Sequence, residues 1–358
     1  MIYSYKYLPH KIEKFDENFT YFFTQLVKND LSRYDENILL KPDFLAIIKS
    51  SKKLIDYLEK ITLQYHNLKA TDKDVIKNAL ENNVKLKELC GNITGANPVK
   101  YTAIKNLTFR RLLKEFLTLL WEDYYFVNSI KNNFGEIQEH FTDFKKYQNA
   151  FLCPFCGIYP LKPASGIYRN AYDHYIPKAF YPFISVNFWN LFPICHECNS
   201  DEKKAIDTLY RGNARRKVIF PFDTSYNGDD LQIKIVTKEN LNTKQLKTLL
   251  NEINWELEFK ISGLDDPRLT SWDEIFHIKR RYKENLCDYE NLWFNDFVIK
   301  RYKEELIDGM TFTRFKEKLI IETKSQIKNN GLSIVRLIYF DFLFSIPDVE
   351  NKLNAIII

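Results

Sequence analysis

Hydrophobic positions in the first 145 residues recur at helical spacing. In "TDKDVIKNALENNVKLKEL", Ile76, Leu80 and Val84 repeat every four residues. Thr71 and Asp74 stand at capping-box spacing before them, so the pattern predicts a helix that begins at Thr71. A second helix is predicted from near Asn106. Phe109, Leu112, Leu113, Phe116, Leu120, Tyr124 and Val127 mark its apolar face. That helix is apolar over much of its circumference, which places it in a core. Between 146 and about 212 the periodicity stops, and prolines at 154, 160, 163, 177, 182 and 193 predict short elements and turns. "LQIKI" (231–235) and "WELEFKI" (255–261) then alternate apolar and polar residues, as half-buried strands do. From Ser271 onward the pattern is helical again. "DEIFHIKRRYKENL" and "TRFKEKLIIETKSQI" are amphipathic, with "IKRRYK" (278–283) read as a solvated face. "LIYFDFLFSI" (337–346) is too short to span a bilayer and contains Asp341, so a buried helix is expected there.

These patterns predict an α+β protein that is mostly helical, in three parts. Residues 1–145 form a helical N-terminal domain, 146–212 a small central module, and 213–358 a C-terminal domain that is mixed and then helical, with a small β element at its start. The 358 residues allow two or three cores of ordinary size. Only 10 are glycine, which favours helices over a glycine-rich barrel. The formal charge of +5, from 52 basic and 47 acidic residues, permits a nucleic-acid partner without requiring one. The start, "MIYSYKYLPHK", lacks the apolar core and cleavage site of a targeting segment, and no membrane association is expected. Six cysteines in a chain this long do not make a disulfide scaffold, so a reducing cytoplasm is expected. Cys90 and Cys287 stand alone and read as small buried residues.

The other four cysteines are paired. Cys153 and Cys156 are spaced C-x-x-C, and Cys195 and Cys198 repeat the spacing 39 residues after Cys156. Each pair turns tightly enough for both sulfurs to face one ion, so together they predict a closed, structural zinc site. Such a site can supply about 10–16 kcal/mol of folding free energy to a small module.

A plain zinc ribbon needs little beyond its cysteines. This one also carries Asp173, His174, Asn190, Asn199, Lys203 and Lys204. A carboxylate oxygen on Asp173 and an amide oxygen on Asn199 suit Mg²⁺ or Mn²⁺. An unperturbed histidine has a pKa of about 6.5, so His174 is expected to be able to take a proton from water near neutral pH. Asp173 and His174 are neighbours, and at a strand end both can converge on one site; Pro177 suits such an end. "CHECNSDEKK" reads as a helix start with Asn199 and Lys203 on one face. The zinc would then clamp three polar elements around a second metal.

"CPFC", "DHYIPKAF", "NL" at 190–191 and "CHECN" followed by lysine resemble the HNH endonuclease family, the ββα-metal nucleases, in its zinc-containing form. The resemblance covers about 50 residues, 153–204, and not the helical flanks. It implies a central ββα-metal module that hydrolyses phosphodiester bonds, leaving 5′-phosphate and 3′-hydroxyl ends. It also implies His174 as general base, Asp173 and Asn199 as ligands of the catalytic metal, and Asn190 as the residue that fixes the active-site loop. Asn199 stands where other members have His, which turns the expectation away from Ni²⁺ or Zn²⁺ at that site. The wider layout is similar to bacterial anti-phage HNH proteins such as the Septu-type nucleases, which implies a partner ATPase and a role in defence.

Between Ser200 and Phe220 there are six basic and three acidic residues. Lys203, Lys204, Arg211, Arg215, Arg216 and Lys217 are therefore expected to contact the backbone of a nucleic acid, with DNA the first candidate. Tyr168, Tyr172, Phe188 and Trp189 are expected to pack around the zinc rather than stack on bases. His196 is given no role. The competing readings are a zinc knuckle that binds nucleic acid or protein without cutting, and a toxin nuclease released by a partner ATPase.

Overall fold

The computed structural model describes residues 1–123, 128–226 and 228–357. Their elements run α1 (Glu13–Asn29), α2 (Glu36–Leu39), α3 (Pro42–Ile48), α4 (Lys52–His66), α5 (Ala70–Asn82), α6 (Leu86–Gly91), α7 (Leu107–Glu122), α8 (Asn128–Phe134) and α9 (Ile137–Gln148). Next come β1 (Tyr172–His174), β2 (Leu191–Pro193), a π-helical turn (Glu197–Lys203), β3 (Tyr210–Arg211), β4 (Ala214–Arg215) and β5 (Leu231–Val236). The chain continues with α10 (Leu249–Glu252), β6 (Glu256–Ile261), α11 (Pro267–Phe276), α12 (Ile278–Trp293), a second π-helical stretch (Phe294–Ile299), α13 (Lys300–Ile307), α14 (Phe312–Ser325), α15 (Ser333–Leu343) and α16 (Val349–Ile357). Among the described residues the strands form three two-stranded antiparallel sheets, β1–β2, β3–β4 and β5–β6. The protein is therefore α+β and mostly helical.

The chain divides into two compact units. One comprises Tyr5–Asn149 and Lys162–Asp223; the other comprises Met1–Ser4, Ala150–Leu161 and Thr224–Ile358. The boundaries expected at 145 and 212 do not coincide with these. The reason is visible in the first unit's core. Phe15, Phe19, Phe44, Phe116 and other residues of α1–α9 share one buried cluster with Tyr172, Phe183, Val186, Phe188 and Leu191. Apolar residues of the segment around β1 and β2 are thus part of the helical core.

α7 starts as expected, with Asn106 Oδ1 accepting the amide of Phe109 at 2.9 Å as the N-cap. Phe109, Leu112, Leu113, Phe116, Leu117 and Leu120 are buried, while Arg111 and Lys114 are exposed. The helix is amphipathic rather than apolar all round. Tyr124 and Val127 lie outside the described residues.

The helix expected from Thr71 differs. It starts at Ala70 with Lys69 as N-cap and no side-chain cap, and Asp72 is buried. Asp72 accepts the amides of Lys105 at 2.6 Å and Asn106 at 3.0 Å. The helix also breaks after Asn82. The Asn83 side chain exchanges two hydrogen bonds with the backbone of Val99, and Val84 is 43% exposed.

In the second unit β5 and β6 pair over the expected segments, burying Ile233, Ile235, Leu257 and Phe259. α15 is a buried helix, as "LIYFDFLFSI" predicts. No helix among the described residues is long and apolar enough to cross a membrane. "IKRRYK" is a correction. Arg280 is exposed and pairs with Glu284, but Arg281 is buried, with its guanidinium over the Tyr159 ring and a bond to the Phe276 carbonyl. α11 and α12 are separate helices because His277 adopts a left-handed conformation at their junction. Cys90 is buried and Cys287 half-buried.

Candidate functional site

The first cysteine pair sits on a tight knuckle. Cys153 N–H bonds the Tyr159 carbonyl at 2.9 Å, and Gly157 N–H bonds the Cys153 carbonyl at 2.8 Å. Gly157 closes the turn at φ +66, with side-chain atoms of Ile2 and Ile334 about to meet any Cβ placed there, at 3.0 and 3.1 Å. Glycine meets both constraints. Trp272 and Tyr282 donate to the Phe155 and Cys156 carbonyls and so fix the turn. In each pair one backbone amide points at a sulfur: Ile158 N–H to Cys156 Sγ and Cys198 N–H to Cys195 Sγ, both 3.4 Å. Such bonds favour thiolate over thiol.

All four sulfurs are buried and lie within 4.8 Å of one another. A tetrahedral site with Zn–S bonds of about 2.3 Å has sulfur–sulfur edges of about 3.8 Å. The four cysteines fit a metal such as zinc. Among the described residues they are the one group of three or more His, Cys, Asp or Glu gathered closely enough to hold an ion.

β1 presents the Asp-His pair. Its three residues are buried and face β2 in the register Asp173 to Phe192 and His174 to Leu191. The strand ends at His174. The π-helical turn that follows β2 closes with Lys204 N–H on the Asn199 carbonyl at 2.9 Å. This widened turn carries Lys203 inward, where its side chain is 1% exposed. It bonds Asp173 Oδ1 and the His174 carbonyl, each at 2.8 Å. Lys203 was expected on phosphate; it instead joins the two residues of the pair. Asp173 Oδ2 is buried with no hydrogen-bond partner. Burial raises the Asp173 pKa above the usual carboxylate range, and the Lys203 charge works against that rise.

Removing Lys203 leaves a buried carboxylate without its cation. Lys203→Met should destabilise the protein by about 3–5 kcal/mol. Adding Asp173→Asn should recover part of the loss, which a double-mutant cycle in denaturant would read. Additive losses would mean that the pair is not coupled.

His174 leaves the strand toward other partners. Its Nε2 lies 2.8 Å from the Ser185 carbonyl. A carbonyl only accepts, so Nε2 carries the hydrogen and Nδ1 is left as an acceptor. The hydroxyl of Ser185 donates to the Leu117 carbonyl at 3.1 Å, and Trp121 meets the imidazole edge-on at 4.8 Å between ring centroids. α7 therefore holds both the ring and the residue that orients it. Burial, with the charges of Lys178 and Lys203 acting in the same direction, lowers the His174 pKa to about 3. The ring is neutral near pH 7.

Asn190, 1% exposed, ties the intervening loop. Its Oδ1 accepts the Ile176 amide at 2.8 Å, and its Nδ2 donates to the Ile176 carbonyl at 2.9 Å and the Ile184 carbonyl at 3.4 Å. Asn199 is half-buried on the π-helical turn.

The rest of the expected basic cluster separates. Arg215 gives its guanidinium to the carbonyls of Leu209 and Leu89, both at 2.8 Å, and Arg216 gives one donor to the Asp207 carbonyl at 3.0 Å. Both are half-buried, and Lys204, Arg211 and Lys217 are exposed. The fold thus employs Arg215 and Arg216 to fix the β3–β4 hairpin. Of the aromatics, Tyr172 and Phe188 are buried in the core, Tyr168 is 76% exposed, and Trp189 stacks on Tyr7 at 3.7 Å. His196 is exposed.

The chain matches no protein-family model, no curated protein and no solved structure.

Sequence reasoning missed Ser185, Trp121 and His140. His140 is buried behind β1, where its Nδ1 bonds the Tyr172 hydroxyl and its ring meets His10 edge-on. Burial, helped by His10, lowers its pKa to about 3. Above about pH 6.5 both folded and unfolded imidazoles are neutral, and the contribution to stability is complete. Between about 6.5 and 3 the unfolded ring takes a proton that the folded ring refuses. Stability should then fall with pH by up to about 1.4 kcal/mol per unit from this group. His140→Phe should flatten that slope in urea titrations from pH 4 to 7. Equal slopes would contradict the assignment.

Proposed function

We propose that the protein is a metal-dependent endonuclease of the HNH type, with β1, β2 and the π-helical turn as its ββα-metal module. The observation that carries this reading is the state of His174: neutral, hydrogen-donating through Nε2 to the Ser185 carbonyl, and presenting Nδ1 as a proton acceptor. A general base needs an oriented ring with one free basic nitrogen. His174 would take a proton from the water that attacks the scissile phosphorus. Its low pKa comes from burial and two cations. A phosphate brought beside it carries the opposite charge and would raise its basicity.

The unpartnered Asp173 Oδ2 supports a divalent cation on that carboxylate. Its other oxygen is held by Lys203, so the carboxylate is already aimed. Asp173, with Asn199 as the second oxygen ligand, would hold Mg²⁺ or Mn²⁺, hard ions that suit such donors. Such an ion, when held there, would supply Lewis acidity for phosphodiester cleavage. Asn190 would keep the loop between Ile176 and Ile184 in place, so that Ser185 meets the ring. Zinc on the four cysteines is structural in this scheme. A binding-only knuckle would need neither the orienting of His174 nor the unpaired oxygen of Asp173. The resemblance to anti-phage nucleases supports a partner ATPase and a role in defence, the cysteine usage supports a reducing cytoplasm, and DNA is the first substrate to test.

The test is conversion of supercoiled plasmid to nicked or linear forms with Mg²⁺ or Mn²⁺. No conversion with either ion, by zinc-loaded protein, would reject the reading.

A further inference from the structure

We propose that one face of α7 is a track for the phosphate backbone of the substrate, leading from a basic cavity to His174. The inference rests on the nuclease reading and extends it to a binding site. The cavity, about 420 Å³, is lined by Tyr101, Leu107, Thr108, Arg110, Arg111 and Lys114. Among the described residues three cations line it and no acidic residue does, Glu115 reaching Arg111 only at 3.9 Å. The depression is open to solvent, and a group of like charges gathered there repels itself and favours an anionic occupant.

The cations are placed rather than merely present. Arg110 donates to the Thr102 carbonyl at 3.2 Å, which orients its guanidinium. Lys114 lies 5.9 Å from the Tyr101 ring centre. Arg111 is 76% exposed, and its contact with Glu115 is long at 3.9 Å. An exposed pair of that kind holds little free energy, so Arg111 can turn to a phosphate. Tyr101 and Leu107, the latter 65% exposed, give apolar walls against which a sugar can rest.

The decisive feature is helical register. Arg110, Lys114, Leu117 and Trp121 are spaced i, i+4, i+7 and i+11, which puts them on one stripe of α7; Leu117 is buried, so the accessible parts of the stripe are Arg110 and Lys114 at one end and the half-buried Trp121 at the other. The far end of that stripe is the catalytic end. The Leu117 carbonyl accepts the Ser185 hydroxyl, and Trp121 meets His174. At 1.5 Å per residue, Lys114 and Arg110 stand about 10 and 17 Å along the axis from Trp121. That span corresponds to about 3–5 base pairs of duplex at about 3.4 Å each. The occupant is therefore a nucleic-acid backbone on one side of the cut. Such contacts position the strand and read no sequence.

The test uses Arg110→Gln, Arg111→Gln and Lys114→Gln together in the full-length, zinc-loaded protein. Affinity for two unrelated duplex DNAs and a duplex RNA is measured without added Mg²⁺ or Mn²⁺ and without chelator, which would strip the zinc, across a salt series. Expected is weaker binding, equal on both DNA sequences, with the log–log salt slope reduced by about 0.9 for each lost contact, so up to about 2.7. If only the RNA shows the change, the backbone on this track is RNA. An unchanged slope in a wild type that binds and cuts overturns the track and leaves the nuclease reading intact. Weakening on one sequence alone overturns backbone binding in favour of base readout. A wild type that binds none of the three duplexes also overturns the track, while plasmid cleavage judges the nuclease reading separately. Zinc content and circular dichroism equal to wild type show that the variant is folded.

Discussion

Cys195→Ser should lose bound zinc and unfold the region around β1 and β2, so that far-ultraviolet dichroism and protease resistance fall together. The expected effect is the largest in the molecule. Structural zinc contributes about 10–16 kcal/mol in small modules, more than most domains have in net stability. The alternatives available to this region are poor. Its apolar residues complete a core supplied by α1–α9, and β1 and β2 have three residues each. A serine offers no thiolate, and three sulfurs cannot close the tetrahedral site that four buried sulfurs within 4.8 Å allow. Metal analysis should return one zinc per wild-type chain. A folded wild type with less than half an equivalent would remove the structural role, and a folded, zinc-free Cys195→Ser would do the same.

The second large effect is on rate. His174→Ala should lower cleavage by about 10²–10⁴-fold, the usual contribution of a general base. The ring is buried and bonded, so its removal also costs some stability at neutral pH, but zinc content and dichroism should match wild type at the assay temperature. A rate loss at matched folding separates catalysis from folding. If His174→Ala lost activity only in proportion to lost zinc or lost structure, the ring would be a core residue. The orienting bond makes a further distinction. Ser185 acts through its backbone carbonyl, so Ser185→Ala keeps that partner and should cost far less than His174→Ala.

Much of this fold was legible because its signals are local. β5 and β6 alternate since one face of each is buried, with Ile233, Ile235, Leu257 and Phe259 inward. α7 begins where Asn106 can cap it. The cysteine spacing marks a knuckle because two residues between sulfurs set the turn. What was not legible depends on partners distant in sequence. The break after Asn82 is fixed by Asn83 bonding Val99, and the start of α5 by Asp72 holding the amides of Lys105 and Asn106. The composition change near 146 marks a change of local structure, but not which residues share a core.

The site divides in the same way. Asp173, His174, Asn190 and Asn199 stand out as chemistry-bearing groups in a zinc frame. Lys203 reads from the sequence as one more surface cation beside Lys204. Its burial follows from the π-helical closure of Lys204 onto Asn199, which changes by one residue the register of that short turn. Nothing in "ECNSDEK" announces it. Trp121 and Ser185 come to His174 through packing of α7 on the loop after β1, a contact no local pattern encodes.

The most direct measurement is the fate of supercoiled plasmid with purified, zinc-loaded protein, with Mg²⁺ or Mn²⁺ supplied or left out, and with His174→Ala run beside wild type. The account predicts nicked or linear DNA from wild type only when the divalent ion is present, and at least about a hundredfold slower conversion by the variant. Equal cleavage by wild type and variant, or none by wild type with either ion, would contradict it.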